Sequence, residues 1–155
     1  MKKEEVKRMN AKRFLALMFL SSLVTGAVLA GGCAGAETAP PPVSGQVIED
    51  VTAREAFTLI QENLNNPDFV ILDVRTPEEF ADGHIERAIN LDFYAGPFRD
   101  ELEALDRDKT YLLHCRSGNR SSNTLNIMKE LNFLEIYHMT GGSIEWQAEG
   151  LPMVK

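Results

Sequence analysis

The sequence predicts an α/β domain built on a mostly parallel sheet, and three observations carry that prediction. Short apolar runs recur between Val47 and Met139, with the length and composition of strands buried on both faces. Between them lie stretches with helical apolar spacing, opened by capping residues and closed by Gly, Asn or Pro. The connections are short, and strands alternating with helices in this way pair in parallel.

In order, Val47 to Val51 reads as a first strand. Thr52-Ala53-Arg54-Glu55 has capping-box spacing, and Ala56, Phe57, Ile60 and Leu64 give one apolar helical face. Asn65 to Asp68 is a turn, and Phe69 to Leu72 a second buried strand ending in Asp73-Val74-Arg75. Thr76-Pro77-Glu78-Glu79 starts a helix, with Pro at its first position and Glu79 at the box position. Ala88 to Leu91 is a short third strand, and Phe98 to Leu105 a helix with Phe98, Leu102 and Leu105 inward. Tyr111 to His114 is the fourth strand, followed by a polar loop and a helix carrying Leu125, Met128 and Leu131 at three-residue steps. Ile136 to Met139 is the fifth strand. Gly141-Gly142-Ser143 opens a last helix with Ile144 and Trp146, terminated by Gly150 and Pro152.

The chain has 155 residues, of which 44% are hydrophobic and 25% charged, with a net charge of −7. Residues 1–30 carry six Lys/Arg against two Asp/Glu, whereas the remainder carries ten against 21 and is strongly acidic. An acidic body argues against nucleic acid as a partner. Neither metal-ligand spacing nor a phosphate-binding glycine motif is present, so no metal and no cofactor are expected.

Chemistry concentrates where the fourth apolar run breaks, at Cys115-Arg116-Ser117-Gly118-Asn119-Arg120-Ser121. Strand, tight loop and helix in succession place Cys115 at the carboxyl end of a strand, where the ligand crevice of a parallel sheet lies, and Asp73 ends another strand. Loop amides and the positive end of a helix dipole favour an anion there. With Arg116 and Arg120 alongside, these conditions lower a thiol pKa and sustain a reactive thiolate.

Leu72-Asp73-Val74-Arg75-Thr76-Pro77-Glu78-Glu79-Phe80, Gly83-His84-Ile85, Ala88-Ile89-Asn90, His114 to Ser121, Gly141-Gly142 with Trp146, and Gly150-Leu151-Pro152 closely resemble the single-domain rhodanese family. The resemblance spans about residues 47–153 and implies a rhodanese-like five-stranded, mostly parallel sheet flanked by helices. It also implies sulfurtransferase chemistry: Cys115 takes sulfane sulfur from thiosulfate or a similar donor as a persulfide and passes it to a thiol or cyanide acceptor. Phosphatases that resemble rhodaneses separate cysteine and arginine by five residues; here four separate Cys115 from Arg120. The shorter loop suits one added sulfur atom rather than a tetrahedral oxyanion. Alternatives are a non-enzymatic persulfide carrier for a specific envelope partner and, more distantly, a phosphatase or arsenate reductase.

Within the loop, Arg116 is expected to point outward and steer the anionic donor, and Gly118 to supply the curvature. Ser117 and Asn119 are expected at the rim, and Arg120 to balance charge at the helix start. The amides from Arg116 to Ser121 are expected to solvate the persulfide. Asp73 and Arg75 are supporting residues: Asp73 holds neighbouring amides, and Arg75 is expected to pair with Glu79, as family members do. Strand alternation turns His114 away from the nucleophile and makes it a core residue rather than a base. His84 and Trp146 read as structural. The domain is expected to act as a monomer.

Residues 1–33 read as an export signal: a basic head followed by an apolar run from Phe14 to Ala30. A start at Met9 would give a tidier head, because Glu4 and Glu5 are unusual there; N-terminal sequencing of the precursor distinguishes the two. Leu29-Ala30-Gly31-Gly32-Cys33 resembles a bacterial lipoprotein signal, which implies lipidation at Cys33, although Ala30 stands where Leu is usual. Cleavage after Ala30 or Ala36, or retention as an uncleaved anchor, remain open. Residues 34–46, rich in Ala, Gly and Pro, form a linker, and 47–155 the folded domain. The implied location is the bacterial cell envelope, lipid-anchored or soluble in the periplasm, with membrane contact only through the N terminus.

Overall fold

Parallel pairing organises the structure, a computed structural model that describes residues 45–155. The signal, Cys33 and the linker up to residue 44 lie outside the described residues. The elements are β1 (Val47–Val51), α1 (Ala53–Glu62), β2 (Phe69–Asp73), α2 (Pro77–Asp82), β3 (Ile89–Asn90), α3 (Phe98–Glu103), β4 (Thr110–His114), α4 (Asn119–Glu130), β5 (Glu135–Met139) and α5 (Gly142–Ala148). The five strands are all parallel in the order β1-β5-β4-β2-β3. No helix among the described residues is long and apolar enough to cross a membrane.

Local signals explain the helices that frame the crevice. Thr52 and Thr76 each accept a hydrogen bond from the amide three residues on, and the Glu55 and Glu79 carboxylates each accept one from the cap residue's own amide. Each box satisfies amides that would otherwise lack a partner, worth about 1 kcal/mol per cap. Burial then separates two layers. Leu72, Tyr111, Leu113 and Ile136 pack with Phe98, Leu102, Leu125 and Met128 of α3 and α4 on one face. Ile71, Leu112 and Met139 pack with Ala56 and Ile60 of α1 and Trp146 of α5 on the other.

The departures from expectation are small and have physical causes. Leu64 is exposed because α1 stops at Glu62, and Leu105 is only partly buried beyond the end of α3. The third strand shrinks to Ile89–Asn90 at the sheet edge. Gln46, placed in the linker by composition, is tied to the domain by its side-chain amide, which donates to Phe133 O at 2.9 Å.

Candidate active site

Cys115 follows β4 directly and is a free, buried thiol. The chain then turns through Arg116 and Ser117 to Gly118, whose φ of 89° lies in the left-handed region. A Cβ at Gly118 would overlap the Thr140 carbonyl oxygen, so only glycine fits this corner. From there α4 begins with its amino end directed at the loop. The result is a ring of donors: amides of Ser117, Gly118 and Ser121 bond to Cys115 Sγ, and the Ser121 hydroxyl lies 3.4 Å from it. Burial pushes the thiol pKa up, but these four hydrogen bonds outweigh it, so the thiol lies below its ordinary value.

The ring keeps its amides inward because its carbonyls are held from outside. The amides of Ser143 and Ile144, in the first turn of α5, donate to Cys115 O at 2.8 Å and Arg116 O at 3.0 Å. Gly142, with φ of 59°, lets α5 approach this closely; a Cβ there would stand 2.5 Å from Cys115 O. The twin glycine is visible in the sequence, but its role as a brace emerges only from tertiary contact.

Arg116, Ser117 and Asn119 are exposed, whereas Gly118 and Ser121 are buried. Beside the loop opens a cleft of about 200 Å³ with Arg116, Arg75, Ser143 and Gln147 among its walls.

The charge pairing differs from expectation. Arg75 pairs with the wholly buried Asp73, its Nη2 2.6 Å from Oδ2 and its Nε 2.9 Å away, and its backbone amide bonds Oδ1 at 3.0 Å. Asp73 therefore holds the turn after β2, while Arg75 Nη2 also reaches Gly83 O at 2.8 Å. Glu79 instead receives both Nη atoms of Arg120, at 2.6 and 2.8 Å, and the Arg120 guanidinium lies 5.5 Å from the Tyr94 ring centre. Only Val74 separates Arg75 from Asp73, so a short bidentate contact within one turn takes precedence. Arg120 projects from the first turn of α4 and meets the start of α2.

His114 is fully buried on the face opposite Cys115, with Nε2 3.7 Å from Asp73 Oδ2. Burial lowers its pKa, although Asp73 opposes the shift, and a neutral core histidine results. His84 stacks on Phe80 and bonds its carbonyl, and Trp146 Nε1 donates to Pro152 O, both structural.

Two polar residues behind the ring carry no local signal. His138 Nε2 lies 2.9 Å from the Ser121 hydroxyl, and His138 Nδ1 lies 2.9 Å from Asp50 Oδ1. Neither stands near Cys115 in sequence; the β1–β5 pairing, which sets Asp50 opposite His138, brings them together.

Known proteins resemble this chain in sequence and in overall fold. The rhodanese-like domain model matches residues 57–149. A sulfurtransferase from Allochromatium vinosum is 31% identical over 100 residues, covering 64% of this chain and 92% of that protein. The crystal structure of a rhodanese-related protein from Thermoplasma volcanium is 32% identical, with a TM-score of 0.57 over 68% of this chain and 97% of that one. The polysulfide-sulfur transferase homodimer of Wolinella succinogenes is 28% identical, with a TM-score of 0.55 over 70% of this chain and 78% of that one. With the sheet, the thiol loop and the matched sequence in agreement, the chain belongs to the rhodanese-like domain family and is of the general sulfurtransferase type.

Proposed function

We propose that the chain transfers sulfane sulfur from thiosulfate, or a donor of that class, to a thiophilic acceptor through a persulfide on Cys115. The observation that carries this reading is the convergence of three amides and one hydroxyl on Sγ. In the first half-reaction the Cys115 thiolate attacks the outer sulfur of thiosulfate. A new S–S bond forms, the bond to the sulfonate sulfur breaks, and sulfite leaves with the electron pair. The charge now sits on the terminal sulfur, where donors already oriented for a sulfur anion stabilise it without reorganising. In the second half-reaction cyanide or a thiolate takes that sulfur, giving thiocyanate or a new persulfide and restoring the Cys115 thiolate. The Wolinella succinogenes relative is called a polysulfide-sulfur transferase, and polysulfide sulfur belongs to the same sulfane class.

The engagement of Arg120 favours sulfur over phosphate. Both of its Nη atoms face Glu79, so its guanidinium is not offered to an oxyanion over Sγ. The test uses the purified full chain with thiosulfate and cyanide. Wild type should form thiocyanate with ping-pong kinetics, and its Cys115 peptide should gain one sulfur after thiosulfate treatment; Cys115→Ser should do neither while remaining folded. Turnover in the Cys115→Ser variant, or wild type that neither turns over nor gains sulfur, overturns the proposal. Sulfur gain without cyanide turnover assigns the site to a carrier.

A further inference from the structure

A line of polar atoms runs from the buried thiol to solvent. Cys115 is 1% exposed, and Ser121 and His138 are likewise buried. The Asp50 side chain at the far end is 69% exposed and borders an open cleft shared with Ser117, Asn119 and Thr140. The spacings along it are 3.4 Å from Sγ to the Ser121 hydroxyl, then 2.9 Å to His138 Nε2, then 2.9 Å from Nδ1 to Asp50. We propose that His138, oriented by Asp50 and acting through the Ser121 hydroxyl, is the positioning residue that takes up the Cys115 proton and holds the thiolate ready for sulfur transfer. This deepens the sulfurtransferase reading and rests on Cys115 being its nucleophile.

Hydrogen-bond polarity drives the argument. A carboxylate only accepts, so His138 Nδ1 carries a proton toward Asp50 and the neutral ring presents Nε2 as an acceptor. In that state Ser121 donates to Nε2, and the thiol S–H can donate to the Ser121 oxygen. When the S–H proton moves to that oxygen and the hydroxyl proton moves to Nε2, one S–H bond breaks and one N–H bond forms. The result is a thiolate and an imidazolium, with Ser121 chemically unchanged. Nε2–H then donates to the hydroxyl oxygen, and the hydroxyl has two acceptors left, Sγ and Gly118 O at 3.0 Å. A charged acceptor makes the stronger bond, so the hydroxyl turns to the thiolate.

The surroundings isolate the pair. His138 is opposite Asp50 on β1 and Leu113 on β4, and α4 presents Ser121 and Leu125 on that side. Glu49, Glu135 and Tyr137 alternate onto the other face of the sheet. Among the described residues, Asp50 and, through Ser121, Cys115 are therefore the ionisable groups facing His138; Arg120, the nearby cation at the loop, is bound to Glu79.

The test is the pH profile of Cys115 alkylation by iodoacetamide in the full chain, followed on the Cys115 peptide so that Cys33 does not contribute. His138→Gln should slow alkylation at pH 6 about tenfold, as expected when an opposite charge near a thiolate is removed, and move the inflection to higher pH. Asp50→Asn, at an exposed site that does not threaten the fold, gives a test of sign. Removing a carboxylate near a thiolate should by simple repulsion speed alkylation, whereas loss of the imidazolium's partner should slow it severalfold. In the His138→Gln background, Asp50→Asn should have no further slowing effect. An Asp50→Asn profile that is unchanged or faster overturns the proposal, whatever the fate of His138→Gln. Because iodoacetamide reads the thiolate without any sulfur donor, this failure is separate from a failure of Cys115 to accept sulfur from thiosulfate.

Discussion

Glu79 and Arg120 are the residues whose pairing was least visible locally, and they offer the clearest pH signature. The Arg120 guanidinium bonds hold the Glu79 carboxyl down to about 2, against the opposing effect of partial burial, with the Thr76 amide helping. A carboxylate depressed in the folded state stabilises the fold fully above its unfolded pKa of about 4.3, and that stabilisation is lost as pH falls through the folded value. The window is therefore about pH 4.5 down to about 2. Since the pair is bidentate but partly exposed, solvent screening limits its worth to about 1–2 kcal/mol. Glu79→Gln should lower unfolding stability by that amount at pH 7 and by progressively less toward pH 2, measured by urea denaturation at each pH. A deficit that stays constant down to pH 2 would mean that the carboxylate's charge is not what the fold uses.

At the scale of elements, the thiol ring is held by α4 and α5 together. The sequence made half of this legible: an apolar run, a glycine-bearing polar loop and a helical pattern are contiguous, so Cys115 could be set at a strand end and Gly118 at a corner. The other half lies across the sheet, because the first turn of α5 bonds the Cys115 and Arg116 carbonyls. Only Gly142 permits that approach. Gly142→Ala puts a side chain into the left-handed region, at a cost of about 1–2 kcal/mol, and also drives its Cβ against the Cys115 carbonyl. The variant should lose at least about 2 kcal/mol of unfolding stability, and its Cys115 alkylation inflection should rise toward that of free cysteine as the amides turn away. Unchanged alkylation in a destabilised Gly142→Ala protein would show that the ring keeps its shape without the brace.

For the whole molecule, the α/β class was legible because parallel strands and capped helices are written in contiguous residues, whereas the order β1-β5-β4-β2-β3 is not. That order decides which distant side chains meet, which is why Asp50 with His138 and Glu79 with Arg120 escaped a reading of local pattern. It also gathers cations at one end of an acidic body. Residues 31–155 carry ten Lys/Arg against 21 Asp/Glu, so the long-range field repels a dianionic donor such as thiosulfate. Arg116 is exposed beside the thiol and walls the adjoining cleft, while Arg75 and Arg120 are each paired with a carboxylate. If Arg116 offsets the repulsion, its effect must depend on salt, because screening lengths shrink from about 30 Å at 0.01 M ionic strength to about 3 Å at 1 M. Arg116→Ala should raise KM for thiosulfate about three- to tenfold at low salt, leave kcat nearly unchanged, and converge on wild type as salt rises. Steady-state kinetics across an ionic-strength series checks this. A KM gap that persists undiminished at high salt would instead make Arg116 a direct ligand of the donor, since a contact inside the cleft is screened far less than steering from outside it.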